Sequence, residues 1–284
     1  MRRRLLDRLF TGGAALAAFV AVASLLIVIG HVVVRGFGAI SVTFLTDQIR
    51  SVGAAGGIFY QLVGTLILVA GAALVAVPIA AAYGLVLTVY APPGRSRNAL
   101  EAALHALNGV PSIVFGLFGL ALFVQLLGWS KSWLAGAILL GLMIVPTVAV
   151  AFVEKLRAIP AATIEAAVGL GLSRSEVVRT VLLPQAASGL VTGTLLGLAR
   201  AAGETAPIMF TAVIFAGATL PHGIVDSPVL ALPYHIFVLA QDSFDPRVAQ
   251  KVWGSAIVLL TLVLGLSLTA LPLRIRIHEE ARRA

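Results

Sequence analysis

Apolar residues run through this chain in long, nearly unbroken stretches divided by short polar segments. They follow neither the alternation of a half-buried strand nor the one-sided period of a surface helix. Six stretches come close to or exceed the about 20 residues that cross a hydrocarbon layer: 12–34, 61–91, 109–127, 133–153, 189–216 and 252–273. The second and fifth are long, which predicts tilt, a break or an extension along the interface. Segment 217–251 holds Pro221, Pro228, Pro233 and Pro246 with Gly217 and Gly223. Prolines so spaced resist a continuous helix, so a structured loop with short interfacial helices is expected there. No long-period repeat or low-complexity tract interrupts the pattern.

Composition turns the pattern into a class. The chain is 60% hydrophobic and 11% charged, with a mean hydropathy of +1.04. A soluble domain is about 45–50% apolar and about 25% charged, and a soluble fold of this size could not hide so much apolar surface. The expected fold is an all-α membrane protein, a six-helix transmembrane bundle. No polar block within these 284 residues is long enough for a separate soluble domain. The reading divides the chain into an N-terminal anchor span with an external loop, 1–60, and a core, 61–284, whose main cytoplasmic loop lies at about 154–188.

The formal charge of +8 matters through its distribution, because Lys and Arg fix membrane orientation. With the N-terminus inside, segments 1–11, 92–108, 154–188 and 274–284 are cytoplasmic. They hold Arg2, Arg3, Arg4, Arg8, Arg95, Arg97, Lys155, Arg157, Arg174, Arg179, Arg274, Arg276, Arg282 and Arg283, fourteen of the twenty basic residues. The external segments 35–60, 128–132 and 217–251 hold Arg35, Arg50, Lys131, Arg247 and Lys251. The bias predicts a multi-pass membrane protein with an even number of spans and both termini cytoplasmic, bound to lipid and not to nucleic acid. Arg2 to Arg4 before an apolar run, with Ala21-Val22-Ala23, also describes a signal peptide. The apolar run continues from Leu25 to Val34, which favours a retained first span.

Candidate chemistry is sparse. There is no cysteine, hence no disulfide or thiolate site. His31, His105, His222, His235 and His278 lack ligand-like spacing, so no metal site is predicted. No G-x-x-x-x-G-K-[ST] is present, and none of Lys131, Lys155 or Lys251 follows a glycine; the chain therefore lacks a phosphate-cradling P-loop. No metal-protease helix or hydrolase elbow occurs, and no serine or threonine has an evident base. No catalytic residue is assigned.

The loop between spans four and five carries more. Pro160 suits a first helical turn, Gly171 suits the left-handed position after a helix end, and Ser173 with Glu176 forms an S-x-x-E capping box. Val177, Val178, Val181 and Leu182 give the second helix an apolar stripe, and Pro184 is expected to interrupt it before the chain re-enters the membrane. Such a pair needs somewhere to bury its apolar side; a partner protein and the lipid surface both serve. Glu165-Ala166-Ala167, Gly171, Val181 and Leu183-Pro184, at their spacing, resemble the EAA loop of ABC-importer permeases, with Val181 where that family commonly has Ile. The resemblance implies a MetI-like permease whose loop is a coupling helix seated in a cleft of an ATPase subunit. Glu165 would then offer a charged contact, Ala166 and Ala167 would permit close approach, and Gly171 would set the bend.

Span five places Gly189, Gly193, Gly197 and Ala201 every four residues, a small ridge that lets another helix come close. Arg200 and Glu204 are neighbours on one helix face. A charge at the membrane centre costs on the order of 2.5–3.5 kcal/mol, so the pair is either a salt bridge between helices or part of an ion or substrate pathway. Pro207 removes a backbone donor beside Glu204. Pro111 opens span three, either as a plain span boundary or as a helix start with an anion contact.

Arg200-Ala201-Ala202-Gly203-Glu204-Thr205-Ala206-Pro207 and Pro111-Ser112-Ile113-Val114-Phe115-Gly116-Leu117-Phe118 resemble stretches of phosphate ABC-transporter permeases, and Thr205-Ala206-Pro207 is similar to the PstA type. The likeness runs from about Gly57 onward and implies a transport subunit, not an enzyme, that translocates inorganic phosphate. Arg200, Glu204, Thr205 and Pro207 would line the pathway. The implied partners are a homologous second permease (PstC type), two ATPase subunits (PstB type) that hold ATP and magnesium, and an extracytoplasmic phosphate-binding protein (PstS type). The chain itself would bind no cofactor. A permease for molybdate or sulfate, and an ion-coupled secondary transporter using Arg200 and Glu204, are the alternatives.

Overall fold

The computed structural model describes residues 2–50, 53–216, 218–241 and 245–283, with side chains over 10–269 of these. The terminal arginines Arg2, Arg3, Arg4, Arg8, Arg274, Arg276, Arg282 and Arg283, and His278, lie outside the side chains described.

Helix α6 (Trp133–Arg157) is the axis of the bundle, with Leu139, Ile144, Val148, Ala149 and Phe152 fully buried. Helices α3 (Phe59–Leu85) and α9 (Leu183–Gly203) flank it. In lipid the hydrophobic effect does not drive helices together, so close van der Waals packing must, and small residues permit it. Side chains added at Gly189, Gly193 and Gly197 of α9 would meet Lys155 and Ala151, Ala151 and Val148, and Ile144 and Val148 of α6. On the other flank Gly71 of α3 abuts Ala137, and Gly141 of α6 abuts Val75. The ridge read from the sequence is the seam between spans four and five.

Helix α12 (Pro246–Arg283) packs on α9, and α1 (Arg2–Gly36) leans on α12. Their contact includes His31 edge-on to Trp253 at 5.3 Å and Gly36 against the Trp253 carbonyl. The most apolar 18 residues of α1 include none that is buried, whereas Gly36 at its end is.

Two expectations from the sequence change, and a third is narrowed. Segment 92–108 is not a loop. It forms α4 (Arg95–Gly109), whose Leu104 is buried, and it meets α5 (Ser112–Gly119, extended by a π-helical turn Leu120–Leu126) at a 95° bend. Ser112–Leu126 is therefore a short span, about 22 Å at 1.5 Å per residue. Pro184 does not interrupt the chain's re-entry. Helix α8 (Arg174–Val177) runs through a π-helical turn, Val178–Leu182, into α9, where Pro184 stands in the first turn. The Leu183 N–H reaches the Val178 carbonyl, so the wider turn absorbs the donor that proline lacks. Of the tilt, break or extension that the length of span five over 189–216 predicts, the structure has the break. Helix α9 stops at Gly203, with Glu204 extended at φ −78°, ψ 129°, and a short helix α10 (Ala206–Thr211) follows.

The two ends of the bundle differ. At one end the loop forms α7 (Ala161–Gly169) and α8. At the other end lie α2 (Val42–Thr46), a hairpin of β1 (Ile49–Arg50) and β2 (Ala55–Gly56) in the antiparallel register Ile49↔Gly56, and α11 (Leu232–Gln241). Lys251 of α12 donates to the Gly56 carbonyl and ties the hairpin down. Segment 217–251 thus contains α11 and the start of α12, as its prolines predict.

Candidate functional site

Two places concentrate chemistry: the break in span five and the loop between spans four and five.

At the break, Arg200 stands in the last turn of α9 and its Nε lies 3.4 Å from Glu204 Oε1. The arginine is 41% exposed and the glutamate 19%. Interrupted backbone inside a membrane is tolerated where protein covers it or water reaches it. Here the two sides differ. On one side Pro207 is buried and Gly116 of α5 sits so close that an added Cβ would lie 2.7 Å from the Ala206 carbonyl. On the other side a Cβ at Gly203 would meet nothing within 4 Å. Arg200 and Gly203 are exposed, and Glu204 and Thr205 are half-buried. The break presents a guanidinium, a carboxylate and a hydroxyl together on a surface this chain leaves open.

Short helix α10 is held from the far end. Lys131 Nζ donates to the Met209 carbonyl at 2.8 Å and the Val213 carbonyl at 3.3 Å. The Ser132 N–H donates to the Thr211 carbonyl at 2.9 Å. Val213 bridges to Val229, and Trp133 Nε1 donates to the Gly223 carbonyl at 2.9 Å. Cations suit a helix C-terminus, where carbonyls lack partners. Partial burial holds the Lys131 ammonium below the usual lysine range.

In the loop, Gly171 has φ +85°, a left-handed conformation that a side chain would strain. The Ser173 hydroxyl and N–H donate to the Glu176 carboxylate at 2.6 and 2.7 Å, and the Glu176 N–H returns to Ser173 Oγ, completing the capping box. Those bonds hold the Glu176 carboxyl below its ordinary range. The apolar stripe behaves differently from its reading in the sequence. Val177, Val178 and Leu182, with Ala167, pack on Phe152, Leu156 and Ala186 of the chain's own spans. Neither a partner nor lipid is needed to cover that stripe. What remains exposed is another face: Glu165, Ala166, Val168, Leu170 and Gly171, with Leu170 at 84%. Ala167 points inward, Leu183 is half-buried and Pro184 is exposed.

Helix α4 is fastened near the root of this loop. Arg157, the last residue of α6, places its guanidinium 2.6 Å from Glu101, which Arg97 also approaches at 3.6 Å. The Tyr83 hydroxyl donates to the Leu100 carbonyl at 2.8 Å. The Arg157 hydrogen bond holds the Glu101 carboxyl below the usual range.

Sequence reasoning missed Lys131 as a cap, Glu101 as a tie, and the buried polar residues Gln61 and His235, which line one narrow pocket. The Lys131 and Glu101–Arg157 contacts join residues far apart in the chain, beyond any local motif. The i, i+4, i+7 spacing of Leu100, Leu104 and Leu107 was the signal available for α4. Among the described residues no group of His, Asp or Glu is arranged to hold a metal ion.

The sequence pattern of the family described as "Binding-protein-dependent transport system inner membrane component" matches residues 80–276. The chain is 32% identical over 212 residues to a probable ABC transporter permease protein, YqgI, of Bacillus subtilis, covering 75% of this chain and 72% of that one. It is 31% identical over 274 residues to the phosphate transport system permease protein PstA of Mycobacterium leprae, covering 94% and 88%. In structure it resembles the MetNI methionine ABC transporter in an inward-facing conformation, with a TM-score of 0.58 at 19% identity over 78% of this chain and 97% of that one.

Proposed function

Since the chain belongs to the family of binding-protein-dependent transport system inner membrane components, we propose that it is the PstA-type subunit of an ATP-driven importer that moves inorganic phosphate across the cytoplasmic membrane. As a member of that family it is a permease subunit and works with an ATPase and a binding protein. The finer assignment carries the substrate, the pathway and the partner types. The observation that carries it is the Arg200–Glu204 pair at the interruption of span five, open on one side.

Phosphate at neutral pH bears between one and two negative charges. Arg200 offers such an oxyanion a planar, potentially bidentate set of donors. Glu204 pairs with Arg200 while the path is empty, so the guanidinium is neither a bare buried charge nor a deep anion trap. Thr205 adds a hydroxyl, and Pro207 keeps the break open by removing a backbone donor. The exposed face of α7 and the following turn, with Glu165, Ala166, Val168, Leu170 and Gly171, seats in an ATPase cleft. The inward packing of Ala167, Val177 and Leu182 makes that face stiff enough to move as a rigid body.

In this reading the α7 end faces the cytoplasm with both termini, and the α11 end faces the binding protein. A second, homologous permease (PstC type) covers the open side of the break. Two PstB-type ATPases hold ATP and magnesium, and a PstS-type protein delivers phosphate. The test is uptake of labelled phosphate by the assembled complex carrying Arg200→Gln. Near-complete loss is expected with subunit assembly intact. Uptake at the wild-type rate, or wild-type uptake of sulfate or molybdate in place of phosphate, would overturn the assignment.

A further inference from the structure

Four ion pairs join described residues, and three of them are local: Asp47 with Arg50, Arg97 with Glu101, and Arg200 with Glu204. Arg157–Glu101, at 2.6 Å, alone connects two separate helices. Its position is mechanical. Arg157 ends α6, and Ala158 to Pro160 lead directly into α7. Glu101 stands in the middle of α4, a helix with most residues exposed that is otherwise anchored by Leu104 and by the Tyr83–Leu100 bond. From α4 the chain turns 95° into α5. Helix α5 meets α10 where Gly116 abuts the Ala206 carbonyl and Pro207, and where Gly119 abuts Thr211. One contiguous line of contacts therefore runs from the root of the loop, through Glu101, α4 and α5, to the segment that follows Glu204.

We propose that Glu101 is a positioning residue of the transport cycle: by gripping Arg157 it makes α4 move with the coupling loop and delivers that motion through α5 to α10. The inference rests on the coupling role given to the loop above, and it adds a second lever. In it, α9 is driven through its continuous helix from α8, while α10 is driven from the opposite side through α4 and α5. Moving both halves of the broken span from one loop changes the geometry of the break itself. Glu101 also has Arg97 as an alternative partner, so its charge stays compensated.

The chain has no cysteine, so with partner subunits used in cysteine-free form the introduced thiols are the ones labelled. Asn98→Cys on α4 and Ser175→Cys on α8 report whether α4 follows the loop when ATP binds to the assembled permease–ATPase complex. In the wild-type background the distance between the labels is expected to stay constant on ATP binding, and with Glu101→Gln it is expected to change. In proteoliposomes, Glu101→Gln and Arg157→Gln should each assemble and hydrolyse ATP while moving several-fold less phosphate per ATP. The double variant should be no worse than either single one. Glu101→Cys with Arg157→Cys, joined by a short thiol-specific linker, should recover the ratio. The inference is overturned if the label distance already changes in the wild-type background, if the variants keep the wild-type ratio, if their losses add, or if Glu101→Gln fails to assemble. Wild-type vesicles that import no phosphate would count against the function proposed above; the label distances would still decide the role of Glu101.

Discussion

His235 is 3% exposed, its Nδ1 has no hydrogen-bond partner, and its ring stacks on Phe215 at 6.0 Å. The Gln61 Oε1 that lines the same pocket is also unpartnered. Burial, aided by the nearby Lys251 ammonium, lowers the imidazole from 6.5 to about 4. The folded protein therefore holds it neutral, whereas the unfolded chain takes up a proton as pH falls below about 6.5. Stability from this residue is full above that value and is lost as pH falls toward 4, by roughly 3 kcal/mol in all. Thermal denaturation in detergent should show this acid limb in the wild type and a flatter profile in His235→Leu. Equal pH dependence in the two would remove the histidine from the account. Nothing in the chain's local sequence announces this site, because Gln61 and His235 come from distant segments.

Helices α6 and α9 show what a local pattern can and cannot convey. The four-residue recurrence of Gly189, Gly193 and Gly197 marks a close seam, and the structure places Val148, Ala151 and Lys155 against it. A Cβ at Gly193 would lie 2.8 Å from the Ala151 Cβ and 3.0 Å from the Val148 Cα, so Gly193→Leu must push the helices apart. A loss of about 1–3 kcal/mol is expected, read as a lower thermal midpoint, with Gly265→Ala, which meets nothing within 4 Å, unchanged. The loop was equally legible, since Gly171, Ser173 and Glu176 act over a few residues. Gly171→Val forces a branched side chain into the left-handed region at roughly 1–2 kcal/mol. It should weaken recovery of the ATPase with the purified permease while leaving membrane insertion unchanged; full recovery would argue against the bend. Pro184 misled because a proline signals a stop, while the π-helical turn that accommodates it has no sequence signature. Segment 92–108 reads as a connection between spans, although the leucines of α4 carry the helical period.

At the scale of the molecule, hydropathy and charge sufficed for a helical membrane bundle, because both reflect the solvent around the chain. The length of span five and Pro207 point to a break, but the 95° turn between α4 and α5 and the capping of α10 by Lys131 depend on packing between spans and leave no local trace. Those three features shape the break: a broken span whose α10 half is held by the 128–132 loop and abutted by α5, and whose α9 half is continuous with the loop end. The most direct test is accumulation of labelled phosphate in proteoliposomes that contain this chain with its partner permease, ATPase and binding protein. Accumulation is predicted to require ATP and the binding protein together, and to cease with Arg200→Gln while ATP hydrolysis continues. Phosphate entry without ATP or the ATPase, or entry undiminished by Arg200→Gln, would contradict the account.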